Sequence, residues 1–385
     1  MNILFLTTVL PGKKRNGGEI VSQYFVDSLR QNGHQVLVLG YTPRGSKYSA
    51  GFNEISVGER YIETELAKYY PLIWMLFSYL KGFPYSVEKY YSKVYATKVT
   101  ELLAREKYDT VIIDHAQIGW LQEIVLTQGA KLIFNTHNIE HEIYLEQMKK
   151  TANPILKQIY QREARLVKAM EDGLAAIADR IWTLTANDAA YFASATNNDL
   201  VKVFNVPVNE VNWIDRVATT YDVGMVGTWT WQPNKEGLQW FFEFVYPLLP
   251  TTLSIQIAGK GADWLHNKYP NVKYCGFVPD PQAFIAQAKV VAIPSITGGG
   301  IQLKTLEAIA SGAVIVATPT ALRGIADYPK LVTVATTPAD FASQLIKLIT
   351  RPTSEDERLE AIDWSRRRRE QFGRDVGAAI CLSNV

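Results

Sequence analysis

Short runs of β-branched and aliphatic residues recur along the whole chain, each followed by a segment with helical spacing. In the first half the runs are Ile3–Thr7, Val36–Leu39, Val111–Asp114, Leu132–Asn135, Ile181–Thr185 and Val201–Phe204. In the second half they are Val223–Val226, Leu253–Ala258, Val272–Cys275, Val290–Pro294, Val314–Ala317 and Leu331–Val334. These runs lack the in–out alternation of a half-exposed sheet, so both faces of each strand must be covered, as in parallel sheets. Segments such as Glu19–Gln31 and Lys235–Tyr246 supply the crossover helices. The fold class is therefore α/β, with two doubly wound, Rossmann-like domains.

At 385 residues the chain exceeds one ordinary core and suits two. The pattern breaks at "FNVPVNEVNW" (204–213), where Pro and Asn interrupt it. The expected first domain is residues 1–206, joined by a C-terminal helix over about 362–385, and the second is 207–361.

The bulk chemistry excludes several functions. Lys plus Arg number 40 against 38 for Asp plus Glu, so net charge gives no reason to expect a nucleic-acid partner. Cys275 and Cys381 stand far apart with no CxxC, which argues against a disulfide framework or a zinc site. The opening "MNILFLTTVL" lacks the charged start and cleavage site of a signal peptide and reads as a buried strand. No apolar run approaches the ~20 residues that span a bilayer. The expected location is cytoplasmic, with peripheral association at the inner face of the membrane as a further option.

Two segments depart from the rhythm. Residues 61–100 are rich in Tyr and include "YYPLIWMLFSYLKGFPYSVEKYY". The segment reads as helical, with core packing and a turn at Gly82–Pro84 as the first reading, and an acceptor-facing or membrane-surface patch as the second. The other segment, "DWSRRRRE", puts four arginines in a row on a helix, so most of them should be solvated. Attraction to anionic lipid or to acceptor phosphates is the alternative.

The most informative stretch is "SITGGGIQLKTLEAIASGAVIVAT", residues 295–318. In a doubly wound domain ligands collect at the carboxyl ends of the strands, and this loop leaves one such end. A helix is expected from about Ile301, with Leu303, Leu306 and Ala310 facing inward. Its N-terminus offers free N–H groups to a phosphate, and glycine lets a ligand approach the backbone. Lys304, in the first turn, opposes the helix dipole, which hints at a bound anion. Glu307, one turn on, is suited to accept from sugar hydroxyls.

These residues resemble the donor-site signature of the large GT-B glycosyltransferase group usually called family 4, in a glycine-rich GGGxxLKxLEA branch. "VGTWTWQPNKEGLQWF" (226–241) and "NGGEIVSQYFVDSLRQNGHQV" (16–36) are similar to further blocks of that branch, in the expected order. Glu307–Ala308 matches the second half of the Glu-x7-Glu-Ala pattern, but Gly299 stands where the first Glu would be. The resemblance implies two Rossmann-like domains facing across a cleft that binds a nucleoside-diphosphate sugar. The backbone around Gly298, Gly299, Gly300, Ile301, Gln302 and Leu303 would hold the diphosphate and Glu307 the ribose. Relatives carry an Arg just after the Val-Gly of the 226 block and a Lys soon after. Here Gly227 is followed by Thr228, and only Lys235 lies near the second position, so Lys304 is expected to supply the charge. Gly17 and Gly18 would approach the sugar-phosphate from the first domain.

His115 and His137 end first-domain strands, and the resemblance places the first near the transferred sugar. Asp114 is a weaker acceptor partner, and His141 is expected to be structural. The implied chemistry is transfer with retention from a UDP- or GDP-sugar to a glycan or lipid-linked glycan, in cell-surface polysaccharide assembly. With no Asp-x-Asp triplet, neither a metal nor a cofactor is expected. The alternatives are a GT-B-fold sugar-nucleotide epimerase and a non-catalytic relative that binds sugar nucleotide or a partner.

Overall fold

In the first domain the strands β1 (Asn2–Val9), β2 (Gln35–Pro43), β3 (Glu54–Arg60), β4 (Thr110–Asp114), β5 (Lys131–Asn135), β6 (Arg180–Thr183) and β7 (Val201–Val203) form one sheet. Its order is β3-β2-β1-β4-β5-β6-β7, and each pairing is parallel. The second sheet comprises β8 (Tyr221–Val226), β9 (Ile255–Ala258), β10 (Val272–Gly276), β11 (Ala288–Ile293), β12 (Ile315–Ala317) and β13 (Val332–Val334). It runs β10-β9-β8-β11-β12-β13, again parallel throughout. The structure, a computed structural model, describes residues 1–13, 16–45, 50–62, 67, 69–127, 129–196, 198–208, 219–351 and 354–381.

The first-domain helices are α1 (Gly17–Gln31), α2 (Tyr70–Lys81), α3 (Tyr85–Glu88), α4 (Lys93–Arg105), α5 (Gln122–Leu126), α6 (Glu140–Lys150), α7 (Pro154–Ile177) and α8 (Ala186–Ala195). Those that follow are α9 (Gln232–Trp240), α10 (Pro281–Ala286), α11 (Leu303–Ala310), α12 (Pro338–Ile349) and α13 (Glu355–Cys381). The central strands β1 and β4 are buried on both faces because helices cover both sides of the sheet. Strand β3, which the apolar-run reading does not foresee, is an edge strand with polar, partly exposed positions. The expected helix Lys235–Tyr246 is divided: α9 passes into a π-turn segment, Phe241–Val245.

Contacts divide the chain into Met1–Val206 with Phe372–Val385, and Pro207–Gln371. The expected crossing at residue 362 is displaced because the first half of α13 packs into the second domain. Ala361 is part of that core, and Trp364 Nε1 donates to the carbonyl of Asp327. Phe372 then joins the first domain, its ring 5.0 Å from Phe25 in a cluster with Trp182 and Phe204. The join sequence 209–213 lies outside the described residues.

The two interrupting segments also depart from their first readings. Only Trp74 and Ser78 of α2 are buried, so core packing does not account for its leucines. Of the four arginines, Arg366 and Arg367 are exposed, whereas Arg368 is buried over the Trp364 ring and Arg369 donates to the carbonyl of Val208.

Candidate functional site

Each sheet has one position where neighbouring strands send their connections in opposite directions, β1/β4 in the first and β8/β11 in the second. Ligands of open α/β sheets gather outside the carboxyl ends at that position. The site residues expected from the sequence fall into two groups, one at each switch point.

In the second domain the loop after β11 is shaped by glycine. Gly298 and Gly300 have φ of 113° and 62°, and a Cβ on Gly298 would lie 3.3 Å from Pro233 in the first turn of α9. Gly237 lets α9 press against the end of β11, since a Cβ there would be 2.3 Å from the Pro294 carbonyl. Gly259, after β9, sits so close to the Gly227 carbonyl that no side chain could be tolerated. Thr297 Oγ1 donates to Glu236 at 2.8 Å and Ser295 Oγ to Gln302 at 2.8 Å, which pins the loop at both ends. The helix starts at Leu303, two residues later than expected, because Gln302 is its extended N-cap. Neither α9 nor α11 has a side-chain cap or an acid in its first turn, so their leading N–H groups lack that compensation.

Lys304 is held inward. Its Nζ donates to Asn234 Oδ1 at 2.7 Å, and Asn234 in turn donates to the Thr228 carbonyl at 3.0 Å. Burial lowers the ammonium to about 8, and among the described residues no carboxylate forms an ion pair with it. Glu307, half-buried one turn on, is raised by the same cause. Lys235 lies half-buried on α9, while Thr228 and Gly299 are exposed and Ile301, Gln302 and Leu303 are half-buried. Leu303 is thus less inward than the helical spacing suggests. Asn234 was not singled out from sequence; its signal is its place in "WQPNKEG", on the first turn of α9.

A cavity of about 340 Å3 adjoins the ends of β9 and β10, lined by Lys260, Asp263, His266, Tyr274, Cys275 and Phe277 among others. Phe277 is 68% exposed, and the Lys260 ammonium lies 5.4 Å from its ring centroid.

In the first domain, strand register assembles the site. Thr7 pairs with Asp114 and Asp114 with Asn135, which sets three polar side chains side by side at the carboxyl ends of β1, β4 and β5. Asp114 is wholly buried. Its Oδ2 accepts from Thr7 at 2.8 Å and Ser22 at 2.7 Å, and its Oδ1 from Asn135 at 2.8 Å and His137 Nε2 at 3.0 Å. Burial pushes this carboxyl up, but His115, His137 and the hydrogen bonds together hold it well below the usual range. His115 has a φ of 79°, a conformation that costs a non-glycine residue strain, and its N–H donates to the Asn135 carbonyl at 3.0 Å. Burial first, and then His137, lower its imidazole to about 4 against the pull of Asp114. The two histidine rings stand 4.0 Å apart.

Gly18, in the first turn of α1, faces the His115 ring, 3.7 Å from the position a Cβ would take; Gly17 opens the helix. Asp114, His115 and His137 place donor atoms within 4.8 Å of one another. Both oxygens of Asp114 already accept two hydrogen bonds each, a saturated network that orients His137, while His115 Nε2 lies 3.6 Å from Oδ2. His141 is held elsewhere, its Nδ1 2.7 Å from buried Glu171 Oε2, and that carboxylate also accepts the Glu140 N–H at the start of α6. His141 thus pairs with the carboxylate that caps the start of α6, away from the Asp114 network.

Residues 220–351 match the sequence profile of the family described as glycosyl transferases group 1. The second domain is a group 1 glycosyltransferase domain. No curated protein matches the chain in sequence. Among solved structures, sucrose-phosphate synthase from Thermosynechococcus elongatus superposes with a TM-score of 0.67 at 13% identity, over 99% of this chain and 98% of that one. HepE of Anabaena in complex with UDP superposes at 0.63 and 15% identity, over 100% of both chains. TarM superposes at 0.64 and 12% identity, over 100% and 99%. At such identities the likeness establishes the fold, and the chain has the GT-B fold. This glycosyltransferase therefore carries its glycine loop, Lys304 and Glu307 inside the matched domain, and its histidine pair outside it.

Proposed function

We propose that this glycosyltransferase takes a sugar from a UDP- or GDP-sugar and transfers it, with retention of anomeric configuration, to a glycan or lipid-linked glycan. The setting is cell-surface polysaccharide assembly at the inner face of the membrane. The observation that carries the reading is Lys304, a half-buried cation turned inward with a neutral amide for a partner, beside two helix starts that lack acidic residues. A diphosphate supplies the missing negative charge. Backbone N–H groups of Gly298–Leu303 and the Lys304 ammonium would hold it, Glu307 would accept from the ribose hydroxyls, and Lys235 would assist at the edge. Gly227 and Thr228 would pass beneath the donor. The base would enter the cavity bordered by Phe277, whose exposed ring offers a stacking surface. That HepE of Anabaena was solved with UDP and with UDP-glucose favours a uridine donor.

On the first domain, His115 is assigned a catalytic place beside the transferred sugar, His137 to donor binding, and Gly17 and Gly18 to the sugar-phosphate. With its imidazole lowered to about 4, His115 is neutral at physiological pH and can donate or accept a hydrogen bond. Glycosidases use paired carboxylates at a set spacing, and no such pair stands out in this sequence. In the route that fits, the acceptor oxygen attacks the anomeric carbon while the bond to the departing phosphate oxygen breaks. The acceptor proton passes to that phosphate oxygen, and the protein contributes position and charge stabilisation.

Incubation with a panel of UDP-, GDP- and ADP-sugars, with and without EDTA, tests this reading. Slow EDTA-resistant hydrolysis of one donor is expected. Binding without turnover would mean a non-catalytic relative, an epimerised sugar nucleotide would mean the epimerase, and a strict Mn2+ or Mg2+ requirement would remove the metal-free mechanism.

A further inference from the structure

The α2 helix turns its apolar side away from the core. Leu72, Leu76 and Leu80 are 76%, 59% and 71% exposed, and their spacing of four puts them on one stripe. The helix is fastened from the other side: the Arg162 guanidinium donates to the Ser78 carbonyl at 2.8 Å and hydroxyl at 3.0 Å, and covers the Tyr79 ring at 4.0 Å. Arg162 lies on α7, two turns after Ile155, which is itself 69% exposed. Lys149 and Lys150 at the end of α6, and Lys157 early in α7, are also exposed.

The charge pattern of these segments has one sign. No Asp or Glu occurs in residues 66–87 or 147–162. Glu163, which ends the second stretch, is buried and accepts from the Tyr85 N–H at 2.6 Å, so its charge is turned inward. Solvated surfaces rarely gather large apolar side chains in one patch. Leucines in a stripe, exposed tyrosines beside them and exposed lysines are what an anionic lipid surface accommodates, with apolar groups among the acyl chains and ammonium groups at the phosphates. A second copy of this face would set lysines against lysines, and a polyanionic glycan would leave the leucines unused. Among the described residues no helix is long and apolar enough to cross a membrane, so contact from this face would be peripheral.

We propose that α2 and the α6–α7 turn form the face by which the protein rests on an anionic bilayer, with Leu72, Leu76 and Leu80 inserted. This deepens the proposed membrane setting and rests on that reading; the donor chemistry is measured alongside so that the two can fail separately. The full chain is sedimented with phosphatidylcholine vesicles, with or without phosphatidylglycerol, at low and high salt. Binding is expected to the anionic vesicles, at least tenfold stronger than to neutral ones and weakened by salt. Leu72→Ser/Leu76→Ser/Leu80→Ser should lower partitioning tenfold or more. Lys149→Gln/Lys150→Gln/Lys157→Gln should lower it roughly fivefold per lysine, and only on anionic vesicles. Donor hydrolysis should be unchanged in both, which also shows that they fold. Failure of the wild type to bind anionic vesicles overturns the proposal, as does a leucine variant that binds like wild type. So does a wild-type dimer in light scattering that the leucine variant converts to monomer. Loss of donor hydrolysis in the wild type, with vesicle binding intact, would count against the donor reading alone.

Discussion

The two domains share a strand order and place polar groups at equivalent switch points, yet they handle charge in opposite ways. At β1/β4 the charge is compensated internally, where Asp114 accepts four hydrogen bonds and sits between two histidines. At β8/β11 the cation is left with a neutral amide, and burial drags it down to about 8. A half-buried charge without a counter-charge is costly, and the proposed donor diphosphate would supply the missing partner from outside. The first site is a finished scaffold that holds two imidazoles in place.

The sharpest way to break this contrast is to remove the unpaired cation. Lys304→Ala should lower kcat/KM for donor hydrolysis by roughly 100- to 1000-fold, the scale seen when one stabilising group of a developing anion is lost. Lys235→Ala, on the neighbouring helix, should cost far less. Equal effects in steady-state assays of the two variants would mean that the cation has been assigned wrongly.

Removing the titrating imidazole at the other switch point should act on stability. The His115 imidazole falls from the usual 6.5 to about 4 on folding. Above pH 6.5 the group is neutral in both states and contributes nothing to the pH dependence. As pH falls from 6.5 toward 4, the unfolded chain binds a proton that the folded domain refuses, and stability drops by up to about 3 kcal/mol. Asp114, lowered on folding, adds its own loss once pH falls below the ordinary carboxylate range. Urea unfolding of His115→Asn between pH 7 and 4 should lack the first loss; a slope like wild type would show that His115 is not the group refusing the proton.

How much of this was legible beforehand follows from what each pattern encodes. Buried parallel strands announce themselves by continuous apolar runs, so both central sheets could be read. Edge strand β3 could not, because polar "EISVGER" looks like a loop until β2 pairs with it. Gly298 and Gly300 were legible because their backbone conformations suit glycine. The Asp114 network was not, because Thr7, Ser22, Asp114 and Asn135 meet through strand register and helix docking, which no local spacing reports. Asn234 was hidden for the same reason, reaching Lys304 across 70 residues of sequence. For α2 the sequence supplied the apolar residues but not the direction they face.

Glu307 offers a smaller test of the same divided site. If it holds the ribose through charged hydrogen bonds of ~1.5–3 kcal/mol, Glu307→Ala should weaken donor binding ten- to hundredfold, read by calorimetry with the nucleoside diphosphate. The histidine pair lies in the other domain, so this variant should leave the acid-stability profile unchanged. A shifted profile would mean that the two sites are coupled rather than independent.

The mildest expected effect comes from pH alone. In the free protein Lys304 titrates at about 8, so above that pH a growing share must take up a proton before it can meet the diphosphate. Binding an anion favours the charged lysine and raises its pKa in the complex. Donor affinity should therefore hold steady below pH 8 and fall by up to tenfold per pH unit above it, until the pKa of the bound state is reached. Lys304→Arg, always protonated in this range, should flatten that slope even if its longer fork binds the donor less well. A wild-type KM that stays level from pH 7.5 to 9.5, or an arginine variant with the same alkaline rise, would show that the Lys304 ammonium already has a charged partner. The second switch point would then be as self-contained as the first.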